Sequence, residues 1–315
     1  MSGKVRIAVV GGGHLGTYHC QKIVADERAQ LVAVIDPVDE KRQKLASLHH
    51  VSAFATLAEL RDPVDAVIVA TPTRTHSAIA HEALERNLHV LVEKPITATT
   101  SEAVALVEAA KKRGRVLQVG HTERWNPAVT AALAMVDKPG YIVAERLAPF
   151  SGRSTDVDVV LDLMIHDLDI VGALISAKLV ETRSVGVPII TSEIDMAAAR
   201  LQFEDGTVAQ ISAGRASLEP VRKIRLFTKE RYVSIDCAAR EVKSVRRLPP
   251  EPGSTWPQIS GEPVEVPPGD ALQLQDRDFI RCILENGRPR VDGPAGLRAL
   301  ELAEAVKQAL TAPLA

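Results

Sequence analysis

The chain has 315 residues, 46% of them apolar and 25% charged, with a formal net charge of −2. That length suits two domains at roughly 150 residues each. The composition excludes general disorder, and the near-neutral charge argues against a nucleic-acid or membrane-surface binder. Cys20, Cys237 and Cys282 lie far apart without CxxC spacing. Neither a zinc knuckle nor a disulfide framework is expected, and a reducing cytoplasm is the expected compartment. Met1-Ser2-Gly3-Lys4 leads into an apolar run without a signal-peptide core, and no stretch approaches the ~18 apolar residues of a membrane span.

Through residue 120, two kinds of segment alternate. Runs 5–10, 31–35, 66–70, 90–92 and 116–119 are short, rich in valine and isoleucine, and do not alternate in polarity, as parallel strands buried on both faces require. Segments 15–25, 39–48, 76–87 and 101–113 have helical length. The last carries Thr99, Thr100 or Ser101 as N-cap candidates and Gly114 as its stop. This alternation predicts βαβ units in a doubly wound Rossmann sheet over residues 1–123. Residues 124–315 read as an α+β domain on an open, mainly antiparallel sheet, whose last helix is able to pack back on the first domain. Strands are expected at 142–147, 197–203, 208–213, 223–227 and 232–236, with hairpin signals at Asp205-Gly206 (a type I′ turn) and Lys229-Glu230. The principal helix is 157–175, the Pro/Gly-rich stretch 248–269 is a loop, and helices 272–285 and 295–310 close the chain.

Gly11-Gly12-Gly13-His14-Leu15-Gly16 is a GxGxxG directly after the first strand and opening the first helix. Gly11 permits a tight turn, Gly13 lets backbone approach a pyrophosphate, Gly16 allows close packing, and the helix N-terminus offers unpaired N–H groups. Alone this is a weak signal. Asp36 stands twenty residues beyond Gly16 at the end of the second run, where a carboxylate accepts from an adenosine ribose diol and repels a 2′-phosphate. Together they point to NAD rather than NADP; the competing reading of Asp36 is a turn residue before Pro37. Thr71-Pro72-Thr73, Glu93-Lys94-Pro95 and Gly120-His121 follow later runs, so a parallel sheet gathers them at one edge. A lysine there is either functional or merely solvated. In the second half, Asp162 and His166 are spaced i, i+4 within 157–175, which on an α-helix puts them on one face about 6 Å apart. Such an aspartate orients a histidine as general base; the alternatives are a solvated face or a cation among Asp162, His166 and Asp169. Without HExxH or a further ligand, no metal is expected. Tyr18-xxx-Lys22 has the spacing of the short-chain dehydrogenase centre, but sits beside the phosphate loop and is read as coincidence.

These motifs resemble the glucose–fructose oxidoreductase, inositol dehydrogenase and rhizopine-catabolism family of dehydrogenases over nearly the whole chain. The resemblance rests on the glycine loop, Ala70-Thr71-Pro72-Thr73-Arg74-Thr75-His76, Glu93-Lys94-Pro95 and Asp162-Leu163-Met164-Ile165-His166-Asp167. It implies that Gly11, Gly13, His14, Leu15, Asp36, Thr71, Pro72, Thr73, His76, Glu93, Lys94 and His121 meet the cofactor. It also implies that Lys94 reaches the substrate hydroxyl from one side, Asp162 and His166 from the other, and that the Lys94–Pro95 peptide is cis. The stretch Gly120-His121-Thr122-Glu123-Arg124-Trp125-Asn126-Pro127 is similar to members oxidising nucleotide sugars, the UDP-N-acetylglucosamine 3-dehydrogenases, which usually carry phenylalanine where this chain has Trp125. On that likeness Arg124 and Trp125 are substrate contacts; a domain-hinge salt bridge is the other reading of Arg124.

The expected activity is therefore NAD-dependent oxidation of a sugar ring carbinol. His166 or Lys94 takes the proton while the other stabilises the oxygen. The alternatives are an inositol, free-sugar or small-carbonyl dehydrogenase, and a non-catalytic NAD(H) sensor. The expected partner is a small molecule, with neither nucleic acid nor membrane, and the resemblance implies a homodimer or homotetramer.

Overall fold

A computed structural model describes residues 3–152 and 157–311, so Met1 and Ser2 of the amino-terminal reading lie outside it. Contacts divide the chain into two units: residues up to 122 with 270–297, and residues 123–269 with those from 298 on.

The first unit is built from β1 (Val5–Val10), α1 (His14–Val24), β2 (Ala29–Ile35), α2 (Asp39–His49), β3 (Ser52–Phe54), β4 (Ala66–Val69), α3 (His76–Glu85), β5 (His89–Glu93), α4 (Thr100–Arg113) and β6 (Leu117–Gly120). All six strands are parallel, in the order β3-β2-β1-β4-β5-β6. The strand order turns around β1, so β1 and β4 flank the switch point at which their C-terminal ends diverge. Ile7, Val9, Ile68 and Leu91 are fully buried, which is why these strands lack polar alternation. Thr99 caps α4 in a reciprocal box with Glu102, and Gly114 (φ 58°) ends it in the left-handed region. β3 has no counterpart in the sequence reading. It is a three-residue, half-buried edge strand, too short to leave an apolar run.

The second unit contains α5 (Pro127–Leu133), β7 (Tyr141–Leu147), α6 (Ile165–Leu174), β8 (Leu179–Val187), β9 (Met196–Phe203), β10 (Val208–Gly214), β11 (Val221–Phe227), β12 (Arg231–Asp236), β13 (Glu241–Leu248) and β14 (Gln258–Glu262). Antiparallel pairs dominate; β7 and β10 pair in parallel. Burial alternates along β7 and β9, so one sheet face is apolar. Ile142, Ala144, Leu201, Ile211, Ile224 and Val233 cluster there with Met164, Ile165 and Leu168.

Three expectations need correcting here. The single helix at 157–175 is instead a π-helical turn, Val160–Met164, followed by α6. Stretch 248–269 is not wholly a loop, because β14 pairs with β13 inside it; its residues are nearly all exposed and so carry no burial pattern. Between β9 and β10 only Gly206 takes a positive φ (85°), so the turn is a longer type closed by a left-handed glycine, where the type I′ turn needs two.

The chain then returns to the first unit. α7 (Ala271–Glu285) starts at Asp270, whose side chain accepts from the Gln273 N–H, and buries Phe279 and Ile280 in the first unit's core. α8 (Gly293–Gln308) runs across the division between the units, and β15 (Leu310–Thr311) pairs in parallel with β8. By contacts, residues 270–297 group with the first unit and residues from 298 on with the second. Among the described residues no helix is long and apolar enough to cross a membrane.

Candidate active site

The glycine loop leaves β1 at the switch point. Gly11 has φ 108°, and a Cβ there would lie 2.3 Å from the Ala70 carbonyl oxygen; a Cβ on Gly16 would lie 1.8 Å from that of Gly11. Only glycine fits at either position. α1 follows with Gly13 at its N-cap and no side chain capping it, and a Cβ on Gly13 would meet only open space. The first-turn N–H groups and the positive end of the helix dipole are thus available to an anion.

Asp36 is buried at the end of β2. One carboxylate oxygen accepts from the Gly12 N–H at 2.7 Å, the other from Val38 N–H at 2.8 Å. It therefore forms the turn around Pro37 and also ties the glycine loop to β2, with lone pairs left for a ribose diol. Gly11, Gly13, His14, Leu15, Asp36, Thr71 and Pro72 all line one cavity of about 720 Å³. Lys41, Thr56 and Arg74 join them, and the sequence reading had missed these three as site residues. The volume falls within the usual ~300–1,000 Å³ of cofactor sites. Bare loop backbone, an uncapped helix start and a carboxylate at one cavity fit the pyrophosphate and adenosine ribose of a dinucleotide.

Thr73, His76, Glu93, Lys94 and His121 do not line that cavity. His76 is buried, with Nδ1 2.9 Å from the Pro95 carbonyl oxygen and Nε2 2.8 Å from that of Thr71, so it staples the β4 and β5 loops together. Lys94 is half-buried directly after β5, and its peptide bond to Pro95 is cis, as the resemblance implied. Glu93 and His121 are buried at the ends of β5 and β6. Tyr18 packs edge-on against His14 at 4.7 Å, and Lys22 pairs with Asp270 at 3.2 Å.

In the second unit, Asp162 lies in the π turn and His166 in the first turn of α6, both half-buried. The straight-helix spacing assumed for this pair does not hold, because the π turn is wider than an α turn; such turns frequently mark functional sites. Asp169 does not extend a solvated stripe: it is buried and paired with Arg124 at 3.3 Å. Burial pushes its carboxyl up to about 7, with Arg124 drawing it back. The arginine's ion pair lies within this unit. Trp125 is buried, its indole N–H without a hydrogen-bond partner among the described residues. Arg146 holds Asp167 through two hydrogen bonds of 2.9 Å and reaches Glu123 at 3.1 Å, which fixes α6 against β7. Among the described residues no group of three or more His, Cys, Asp or Glu is arranged to hold a metal ion.

Comparison with known proteins supplies the family. Residues 5–121 match the sequence model of an oxidoreductase family with an NAD-binding Rossmann fold. The chain is 40% identical to the UDP-N-acetylglucosamine 3-dehydrogenase of Acidithiobacillus ferrooxidans over 98% of each chain. It is 30% identical to the scyllo-inositol 2-dehydrogenase (NAD(+)) of Bacillus subtilis over 69% of each. A solved structure of the A. ferrooxidans enzyme superposes with a TM-score of 0.90, at 39% identity and covering 98% of both chains. At 40% identity over 98% of both chains, the chain belongs to the glucose–fructose oxidoreductase, inositol dehydrogenase and rhizopine-catabolism family of NAD-dependent oxidoreductases.

Proposed function

We propose that this enzyme oxidises the C3 carbinol of UDP-N-acetylglucosamine with NAD. The observation that carries the substrate choice is the likeness to a UDP-N-acetylglucosamine 3-dehydrogenase over 98% of both chains, which takes in the whole second unit as well as the Rossmann part. When bound, NAD supplies the nicotinamide that accepts hydride from the carbinol carbon.

The chain's own residues do the rest. Backbone at Gly11, Gly13, His14 and Leu15 receives the pyrophosphate, and Asp36 the adenosine ribose diol. Thr71, Pro72, Thr73, His76, Glu93 and His121 shape the loops toward the nicotinamide half. Lys94 donates a hydrogen bond to the carbinol oxygen as negative charge develops there. His166, oriented by Asp162, takes the hydroxyl proton on an imidazole nitrogen. Arg124 and Trp125 contact the sugar or its diphosphate; Asp169 holds the guanidinium in place. Three buried free thiols suit a reducing cytoplasm, and a homodimer or homotetramer is what the family resemblance implies.

A panel of UDP-N-acetylglucosamine, myo-inositol, scyllo-inositol and free sugars, followed by NADH absorbance, tests the substrate choice. The nucleotide sugar is expected to give the highest kcat/KM, and an inositol in its place would contradict it. Asp36→Ser tests the cofactor. Loss of hydrogen bonds from a charged acceptor is worth ~1.5–3 kcal/mol each, so KM for NAD should rise at least about tenfold and the preference over NADP narrow. An unchanged preference would leave Asp36 with its loop role alone.

A further inference from the structure

Next to Lys94, in the first unit, lies a buried cluster of ionisable groups. His19, on the face of α1 turned away from solvent, is fully buried; so is Asp276 on α7, and Glu93 is 4% exposed. The imidazole stands between the two carboxylates, Nε2 at 3.0 Å from Glu93 and Nδ1 at 3.0 Å from both oxygens of Asp276. Both ring nitrogens face acceptors, so both are placed to donate, which an imidazole does only as the cation. Burial alone opposes that charge, but Asp276 and Glu93 outweigh it and push the group up to about 10.

The cluster is tied closely to the turn that bears Lys94. Glu93 is the preceding residue, and its other carboxylate oxygen accepts from the Lys94 N–H at 3.3 Å. Its carboxyl group also lies flat over Gly120, where a Cβ would come within 2.5 Å of it. Gln275 donates to Glu93 at 3.4 Å and accepts from the Thr122 hydroxyl at 2.8 Å. The glutamate is thus gripped by α1, β6 and α7 together. Without the imidazolium, two buried carboxylates would face each other with no cation between them, and burying charge unpaired is costly enough that one of them must move or take up a proton.

We propose that His19, clamped by Asp276, is a positioning residue that acts through Glu93 to hold the Lys94 backbone where its ammonium meets the reacting oxygen. This rests on the role given to Lys94 above. No such function is visible in the glycine motif, although His19 stands only three residues after Gly16. It would make the helix that receives the cofactor's phosphates and the turn that bears the catalytic lysine one rigid piece.

The test is a cycle of His19→Gln, Lys94→Met and the double variant, with kcat, KM for NAD and NADH affinity by fluorescence. His19→Gln is expected to lower kcat at least tenfold with KM for NAD within threefold, and to lower it no further in the Lys94→Met background, since residues acting as one unit are not additive. The same factor in both backgrounds would mean a merely structural role and overturn the proposal, as would a His19→Gln kcat within twofold of wild type. Should His19→Gln not fold, Asp276→Asn is run through the same cycle with the same expected outcomes. Lys94→Met with wild-type turnover removes the catalytic role proposed for Lys94 and this inference with it, whereas an inactive Lys94→Met beside a normal His19→Gln sinks this inference alone.

Discussion

Lys94→Met is expected to lower kcat at least a hundredfold while NADH affinity stays within about threefold. Methionine keeps the length and apolar stem of lysine and removes the ammonium. If that ammonium steadies the carbinol oxygen as it turns alkoxide-like, its loss removes an interaction made mostly in the transition state, for which 10²–10³ in kcat is typical. The cofactor should scarcely notice, because Lys94 lies outside the cavity formed by the glycine loop, Asp36 and Thr71. Steady-state turnover and fluorescence titration with NADH check both halves. A kcat within threefold of wild type would remove Lys94 from the chemistry.

His166→Asn carries the other large effect. A general base placed at the reacting hydroxyl contributes about 10²–10⁴ in rate, so kcat should fall by at least the lower figure. Asparagine fills similar space and retains a polar end, and the position is half-buried rather than part of the core, so thermal stability should be almost unchanged. Asp162→Asn should cost less, about tenfold, because it leaves the base in place and removes only its orienting partner. If His166→Asn retains wild-type turnover, or if its loss of activity tracks a loss of folded protein, the proton goes elsewhere.

How far these residues can be read in the sequence depends on how local the physics is. β1, β4 and β5 are legible because both faces of each strand are largely buried and all their positions except Arg6, His89 and Glu93 are apolar. The glycine loop is legible because Gly11 and Gly16 face steric conditions no other residue meets. β14 is not, since an exposed edge strand is held by backbone hydrogen bonds that leave no side-chain pattern. The π turn before α6 was hidden for a different reason: helical pattern reading assumes 3.6 residues per turn, and the residues that expose the departure are the same valines and leucines an α-helix would use. Asp36 forms the turn around Pro37 and ties the glycine loop to β2, and these bonds are compatible with the proposed ribose contact, so the turn and ligand readings do not compete. The His19–Asp276 contact joins residues 257 apart in the chain, and neither neighbourhood announces the other.

The oxidation of a C3 carbinol is most directly tested with UDP-N-acetylglucosamine deuterated at C3. After turnover with NAD, mass spectrometry of the reduced cofactor should show one deuterium per NADH, and the sugar product should have lost it, because the hydrogen on the oxidised carbon is the one transferred. NADH formed without label, with deuterium still on the sugar, would show that another carbon is oxidised and contradict the assignment.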